Sequence, residues 1–89
     1  MTPNQRALAR HALGLPNARK RSYRNYYAAV LRTPDEQEWF DLCGEGLAVI
    51  RTQGTMTGFA LTHAGALAAL DPGETLDPED FPANQEPAT

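Results

Sequence analysis

The apolar positions of this chain change period along its length, and each change predicts an element. Leu8, His11, Ala12 and Leu15 recur at helical spacing behind Thr2-Pro3-Asn4-Gln5. There Thr2 is placed to cap, Pro3 to open the first turn and Gln5 to close a capping box. Gly14 and Pro16 end that helix. Thr33-Pro34-Asp35-Glu36 repeats the start signal, with Glu36 completing the box and the acids favouring the positive helix end. Trp39, Leu42, Cys43 and Leu47 then form an apolar stripe with Phe40 beside it, closed by Gly44 and Gly46. The period next shortens. Residues 46–51 are a β-favouring run, 53–55 a turn and 57–61 a returning strand, which together predict a hairpin. Thr62 caps a last short helix that Asp71-Pro72-Gly73 closes.

Two stretches read less simply. Residues 16–21 form a polar basic connection. Segment 22–31, Ser-Tyr-Arg-Asn-Tyr-Tyr-Ala-Ala-Val-Leu, has aromatics that favour a strand and an Ala pair that favours a helix. The expectation there is a short helix. From Asp71 to Thr89 the chain carries four of its seven prolines and six acids, which predicts an extended tail docked by Leu76 and Phe81. The whole is therefore an α+β fold. Residues 1–72 form a small domain of three helices and a β-hairpin, and residues 73–89 an extended acidic, Pro-rich C-terminal tail.

Eighty-nine residues, 42 % of them apolar, suffice for one modest core. A single cysteine excludes an internal disulfide and the paired thiolates of a zinc ribbon. The chain has no run of 18 apolar residues and no signal-peptide pattern, so the expected setting is cytoplasmic, with no membrane partner.

Charge changes the picture more than composition does. Residues 1–32 hold seven of the eight Lys and Arg and no acid, whereas all eleven acids follow. A net charge of −3 thus conceals a strong dipole, and such a field governs encounters more than folding. Arg19, Lys20, Arg21 and Arg24 lie within six positions and alternate with Tyr23 and Tyr26. Cations of that density suit phosphates, and tyrosines can stack on exposed bases. Arg and Tyr are equally favoured in protein interfaces, and the same residues could form a packed aromatic pair beside a solvated loop. Arg6 and Arg10, four residues apart on one helix face, extend the patch. Candidate binding residues are therefore Arg6, Arg10, Arg19, Lys20, Arg21, Tyr23, Arg24 and Tyr26.

Catalytic chemistry finds little footing. Cys43 sits in an apolar stripe among acids, which disfavours a thiolate. Ser22 is the one serine and lacks a glycine elbow. His11, His63 and Cys43 do not make a metal motif, Asp77 to Asp80 lack calcium-loop spacing, and Gly44-Glu45-Gly46 is no phosphate loop. The expectation is a non-enzyme without a cofactor, metal or catalytic residue.

The order helix, basic segment, helix, hairpin, helix resembles the winged-helix arrangement, with 59–67 looking like its second wing strand passing into a closing helix. One feature departs from it. The helix before the hairpin would enter the major groove, yet residues 34–43 carry Asp35, Glu36, Glu38 and Asp41 and no cation. A wider resemblance rests on His11-Ala12-Leu13-Gly14-Leu15, Ser22-Tyr23-Arg24-Asn25, Trp39 with Leu42, Phe59-Ala60-Leu61-Thr62 and 76–81, Leu-Asp-Pro-Glu-Asp-Phe. These words look like a group of small phage and prophage proteins, which implies a phage origin and a host-cell cytoplasm and carries over no functional residue. The resulting expectation is a phage-encoded accessory or regulatory protein that binds nucleic acid through its basic N-terminal face. The alternative is a protein-binding inhibitor of a host system, such as an anti-CRISPR or other anti-defence protein, gripping an acidic host partner or presenting its acidic helix as a phosphate mimic. A third reading is self-assembly, either by opposite faces pairing head to tail or as a symmetric homodimer that buries Phe40 and the hairpin.

Overall fold

A computed structural model describes residues 1–82. Each helix starts on a threonine. Helix α1 (Pro3–Leu13) has its capping box closed: the Thr2 hydroxyl accepts the Gln5 N–H at 3.1 Å and Gln5 Oε1 accepts the Thr2 N–H at 3.0 Å. Gly14, at φ 79°, ends it in the left-handed conformation that glycine adopts without strain. Helix α2 (Pro34–Gly44) begins at Thr33, whose hydroxyl accepts the Glu36 N–H at 3.4 Å. Its box stays open. The Glu36 carboxylate instead takes the Thr57 hydroxyl at 2.7 Å and the Arg32 N–H at 2.9 Å. Those two donors, the hydroxyl foremost, hold its pKa below the usual carboxylate value. Helix α3 (His63–Ala68) starts where the Thr62 hydroxyl accepts the Gly65 N–H at 3.1 Å.

Three strands, β1 (Tyr27–Ala29), β2 (Ala48–Ile50) and β3 (Thr57–Leu61), form an antiparallel sheet in the order β1-β3-β2. The short helix expected over 22–31 is therefore replaced by extended chain and strand β1. Tyr27, Ala28 and Ala29 pair with Phe59, Gly58 and Thr57, and that ladder outweighs the helical preference of two alanines. Asn25 prolongs the ladder with its side chain, accepting from the Leu61 N–H at 2.8 Å and donating to the Leu61 carbonyl at 3.0 Å.

The core gathers on one face of the sheet. Phe59 lies in the middle strand, fully buried, with Tyr27 and Ile50 opposite it on either side. Trp39 of α2 stacks on Phe59 (5.5 Å between centroids, 13°) and tilts against Tyr27 at 5.4 Å. Trp39 Nε1 is buried without an acceptor among the described residues. Helix α1 buries Gln5, Ala9, Ala12 and Leu13, a face one position away from the expected stripe. His11 remains exposed, edge-on to Tyr27. Helix α3 approaches so closely that a Cβ on Gly65 would overlap the Leu47 carbonyl.

Residues 71–81, expected as part of an extended tail docked by Leu76 and Phe81, form a strap across the connection that follows α1. Arg21 and Thr75 make a parallel bridge, in which Ser22 N–H donates to the Thr75 carbonyl (3.0 Å) and Thr75 N–H to the Lys20 carbonyl (2.9 Å). The buried Ser22 hydroxyl accepts the Asp77 N–H at 2.8 Å. Phe81 is buried and stacks beside His63. Apolar Leu76 and Phe81 and these three hydrogen bonds explain why an acid-rich segment docks. The rest of the tail, 83–89, lies outside the described residues.

Candidate functional site

The eight residues singled out from sequence do not form one open basic face. Arg6 is paired with Asp71. Arg10, whose side chain is only 11 % exposed, holds the Glu74 carboxylate through two hydrogen bonds of 2.6 and 2.8 Å and donates to the Ala69 carbonyl at 2.9 Å. The hydrogen bonds from Arg10 draw the Glu74 pKa down to about 2, against the opposing pull of burial. Arg21 lies 3.6 Å from Asp77. The strap thus places three carboxylates on three of the expected binding cations. Tyr26 is half-buried, and its phenol lies over Gly58, where a Cβ would collide with the hydroxyl. It is a packing residue.

Arg19, Lys20, Tyr23 and Arg24 remain exposed on the connection between α1 and β1. Lys20 sits at φ 54°, a left-handed conformation uncommon for a residue with a Cβ. The Arg24 guanidinium lies 5.3 Å from the Tyr23 ring centre and donates to the His11 carbonyl at 2.7 Å, so it caps α1 while stacking. A cleft of about 640 Å³ opens beside them. Asn17, Arg19, Arg21 and Tyr23 face Asp77 and Glu79 across it, so its cations look onto carboxylates rather than into a free anion site.

A second surface emerges at the far end of the sheet. The register sets Ala29 beside Thr57, so exposed Val30 and Leu31 follow at the hairpin end, next to exposed Met56. The Thr57–Glu36 hydrogen bond brings the first turn of α2 to the same end. One turn on, Phe40 rests edge-on against Phe59 at 5.3 Å, and Phe59 is opposite Ile50. Val30, Leu31, Phe40, Ile50 and Met56 are each at least 36 % exposed, a group of large apolar side chains at one end of the molecule. Residues 33–50 contain five Asp and Glu, and exposed Arg32 and Arg51 directly follow Leu31 and Ile50. The sequence reading noticed Phe40 and the hairpin but not Val30 and Leu31, because a short helix over 22–31 hid the strand that delivers them there.

Comparisons with protein-family models, curated proteins and solved structures return no match. The site must therefore be judged from its own chemistry. Cys43 is half-buried and burial pushes its thiol pKa up, away from a nucleophilic thiolate. Burial also raises Tyr27, with its hydroxyl bonded to Asp35 at 2.9 Å. Among the described residues no group of three or more His, Cys, Asp or Glu could hold a metal ion. Among them, too, no helix is long and apolar enough to cross a membrane.

Proposed function

We propose that this chain is a non-enzymatic binding domain that docks on another protein through the apolar group at the hairpin end. The observation that carries the reading is the joint exposure of Val30, Leu31, Phe40, Ile50 and Met56 on a chain whose basic residues are partly consumed by its own strap. Water-exposed apolar area of this kind is where association gains free energy. The scaffold is winged-helix-like, supported by the order α1, β1, α2, β2, β3 and by β1 completing the sheet against β3. Helix α2 carries acids in place of groove-reading cations, which turns the scaffold toward protein contact. The resemblance to small phage and prophage proteins supports a partner in a host-cell cytoplasm and an accessory or anti-defence role.

The test is affinity capture from nuclease-treated bacterial lysate with the wild-type chain and with Leu31→Glu. Leu31 is exposed, so the variant keeps its fold, verified by an unchanged urea midpoint. A discrete protein retained by the wild type should fall at least tenfold with Leu31→Glu. Equal retention by both chains, or no retained protein, overturns the reading.

A second reading has one observation of its own: the Tyr23–Arg24 stack, exposed beside Arg19 and Lys20. It makes this connection a contact for single-stranded nucleic acid, with Tyr23 stacking on a base. Three cations release few counterions, so binding should fall about twenty-fold between 50 and 200 mM salt, on the single-strand slope of about −0.7 per phosphate. Fluorescence anisotropy with labelled single-stranded DNA and RNA measures that slope. No binding at 50 mM salt removes the reading.

A further inference from the structure

We infer that the partner is an extended basic–apolar peptide segment, which adds to the free edge of β2 as a fourth strand. The inference rests on the protein-docking reading above and names its occupant.

Each edge of the sheet is open at one residue. On β1 the end of α1 covers Tyr26, whose N–H, directed away from β3, donates to the Ala12 carbonyl at 3.2 Å, while Tyr23 N–H donates to the Leu13 carbonyl at 3.1 Å and Ala28 stays exposed. On β2 the outward-facing residues are Ala48, which is buried, and Ile50. Leu47, Val49 and Arg51 turn their backbone groups toward β3, as the Thr62-to-Leu47 (3.1 Å) and Arg51-to-Gly58 (2.6 Å) bonds show. By the alternation of an antiparallel ladder, the N–H and carbonyl of Ile50 point outward. Among the described residues neither finds a hydrogen-bond partner, and Ile50 is 57 % exposed. An open apolar edge is the template that strand addition uses.

The surroundings select the occupant. Helix α2 runs along β2 and exposes Phe40, Asp41, Gly44 and Glu45. At Gly44 an added Cβ would meet nothing within 4 Å, so space is open on that ridge. An incoming strand with alternating side chains would set apolar groups on Phe40 and Ile50 and cations near Asp41 and Glu45. A second copy of this chain pairing β2 to β2 would instead bring Asp41 and Glu45 toward their own counterparts, a like-charge opposition. Asp41 and Glu45 outnumber Arg51, the cation next to Ile50, so charge favours a basic segment over self-pairing.

Capped octapeptides alternating Val, Ile or Phe with Lys or Arg serve as the probe, titrated against the full chain by fluorescence anisotropy. A matched set with Glu in place of Lys and Arg serves as control. The basic set should bind, the acidic set should not, and amide exchange at Ile50 should slow at least tenfold in the complex. Ile50→Pro removes the outward N–H without breaking a bond to β3, as edge strands tolerate, and should weaken binding at least tenfold. Asp41→Asn with Glu45→Gln should weaken it similarly while leaving the strand untouched. The inference is overturned by equal binding of both peptide sets, by no binding of the basic set, by unaltered affinity in either variant, or by a wild-type dimer in sedimentation that Ile50→Pro dissolves. If Leu31→Glu abolishes lysate capture while Ile50→Pro binds the peptides normally, docking at the hairpin end survives and strand addition fails.

Discussion

Arg10→Ala should lower the unfolding free energy by about 3 kcal/mol, because truncating one member of a buried pair strands the other. The side chain of Glu74 is only 7 % exposed, and Arg10 supplies two of its three short hydrogen bonds, the third coming from the Asp71 N–H at 2.6 Å. The Ala69 carbonyl loses its donor as well. For a domain of this size the loss corresponds to a melting temperature lower by about 15 °C. The pair also fixes a pH dependence. Glu74 ionises at about 2 in the folded chain against an ordinary value of 4.5, so the folded carboxylate is the more acidic one. Its contribution is fully present above about pH 4.5 and is lost as pH falls toward 2, since the unfolded chain takes up the proton first. Urea titrations between pH 7 and pH 2 should show wild-type stability falling through that window. Arg10→Met with Glu74→Leu should flatten the profile and recover much of the stability, because a packed apolar pair leaves no charge uncompensated. A profile for Arg10→Ala as steep as wild type would falsify the assignment.

Phe59→Ala should cost about 4 kcal/mol, close to the whole stability of a small domain. Phe59 is fully buried between two strand partners, under the Trp39 ring and against the edge of Phe40. Its strand partners Tyr27 and Ile50 are held in place by the ladder, so a cavity remains. Phe59→Leu, which keeps most of the volume, should cost about half as much. Equilibrium urea unfolding monitored by Trp39 fluorescence reads both values directly, since this is the one tryptophan and it stacks on the altered ring. A cost below about 1 kcal/mol for Phe59→Ala would show that the aromatic stack is not the centre of the core.

Local chemistry was legible in the sequence wherever its physics spans a few residues. Thr2, Thr33 and Thr62 cap the helices expected of them, Gly14 ends α1 as expected, and the hairpin falls where Gln53-Gly54-Thr55 marks a turn. Reading failed where a distant partner decides. Tyr27 to Ala29 become a strand only because β3, about thirty residues later, offers them a ladder. Glu36 looks like a capping-box residue, yet the Thr57 hydroxyl and the Arg32 N–H take its carboxylate away from Thr33. The charge map misled for the same reason. Arg6, Arg10 and Arg21 stand well apart in sequence from Asp71, Glu74 and Asp77, so nothing nearby reveals that each has a counterion. The exposed apolar end was hidden too, because it is assembled from β1, α2 and the hairpin, and no single segment contains it.

The pairing of early cations with late carboxylates has a consequence for synthesis on the ribosome. Helix α1 is made some sixty residues before Glu74, so during translation its guanidinium groups emerge near ribosomal RNA before their native counterions exist. Completion of the native state must wait for the strap, whose carboxylates reach α1 long after its guanidinium groups have emerged.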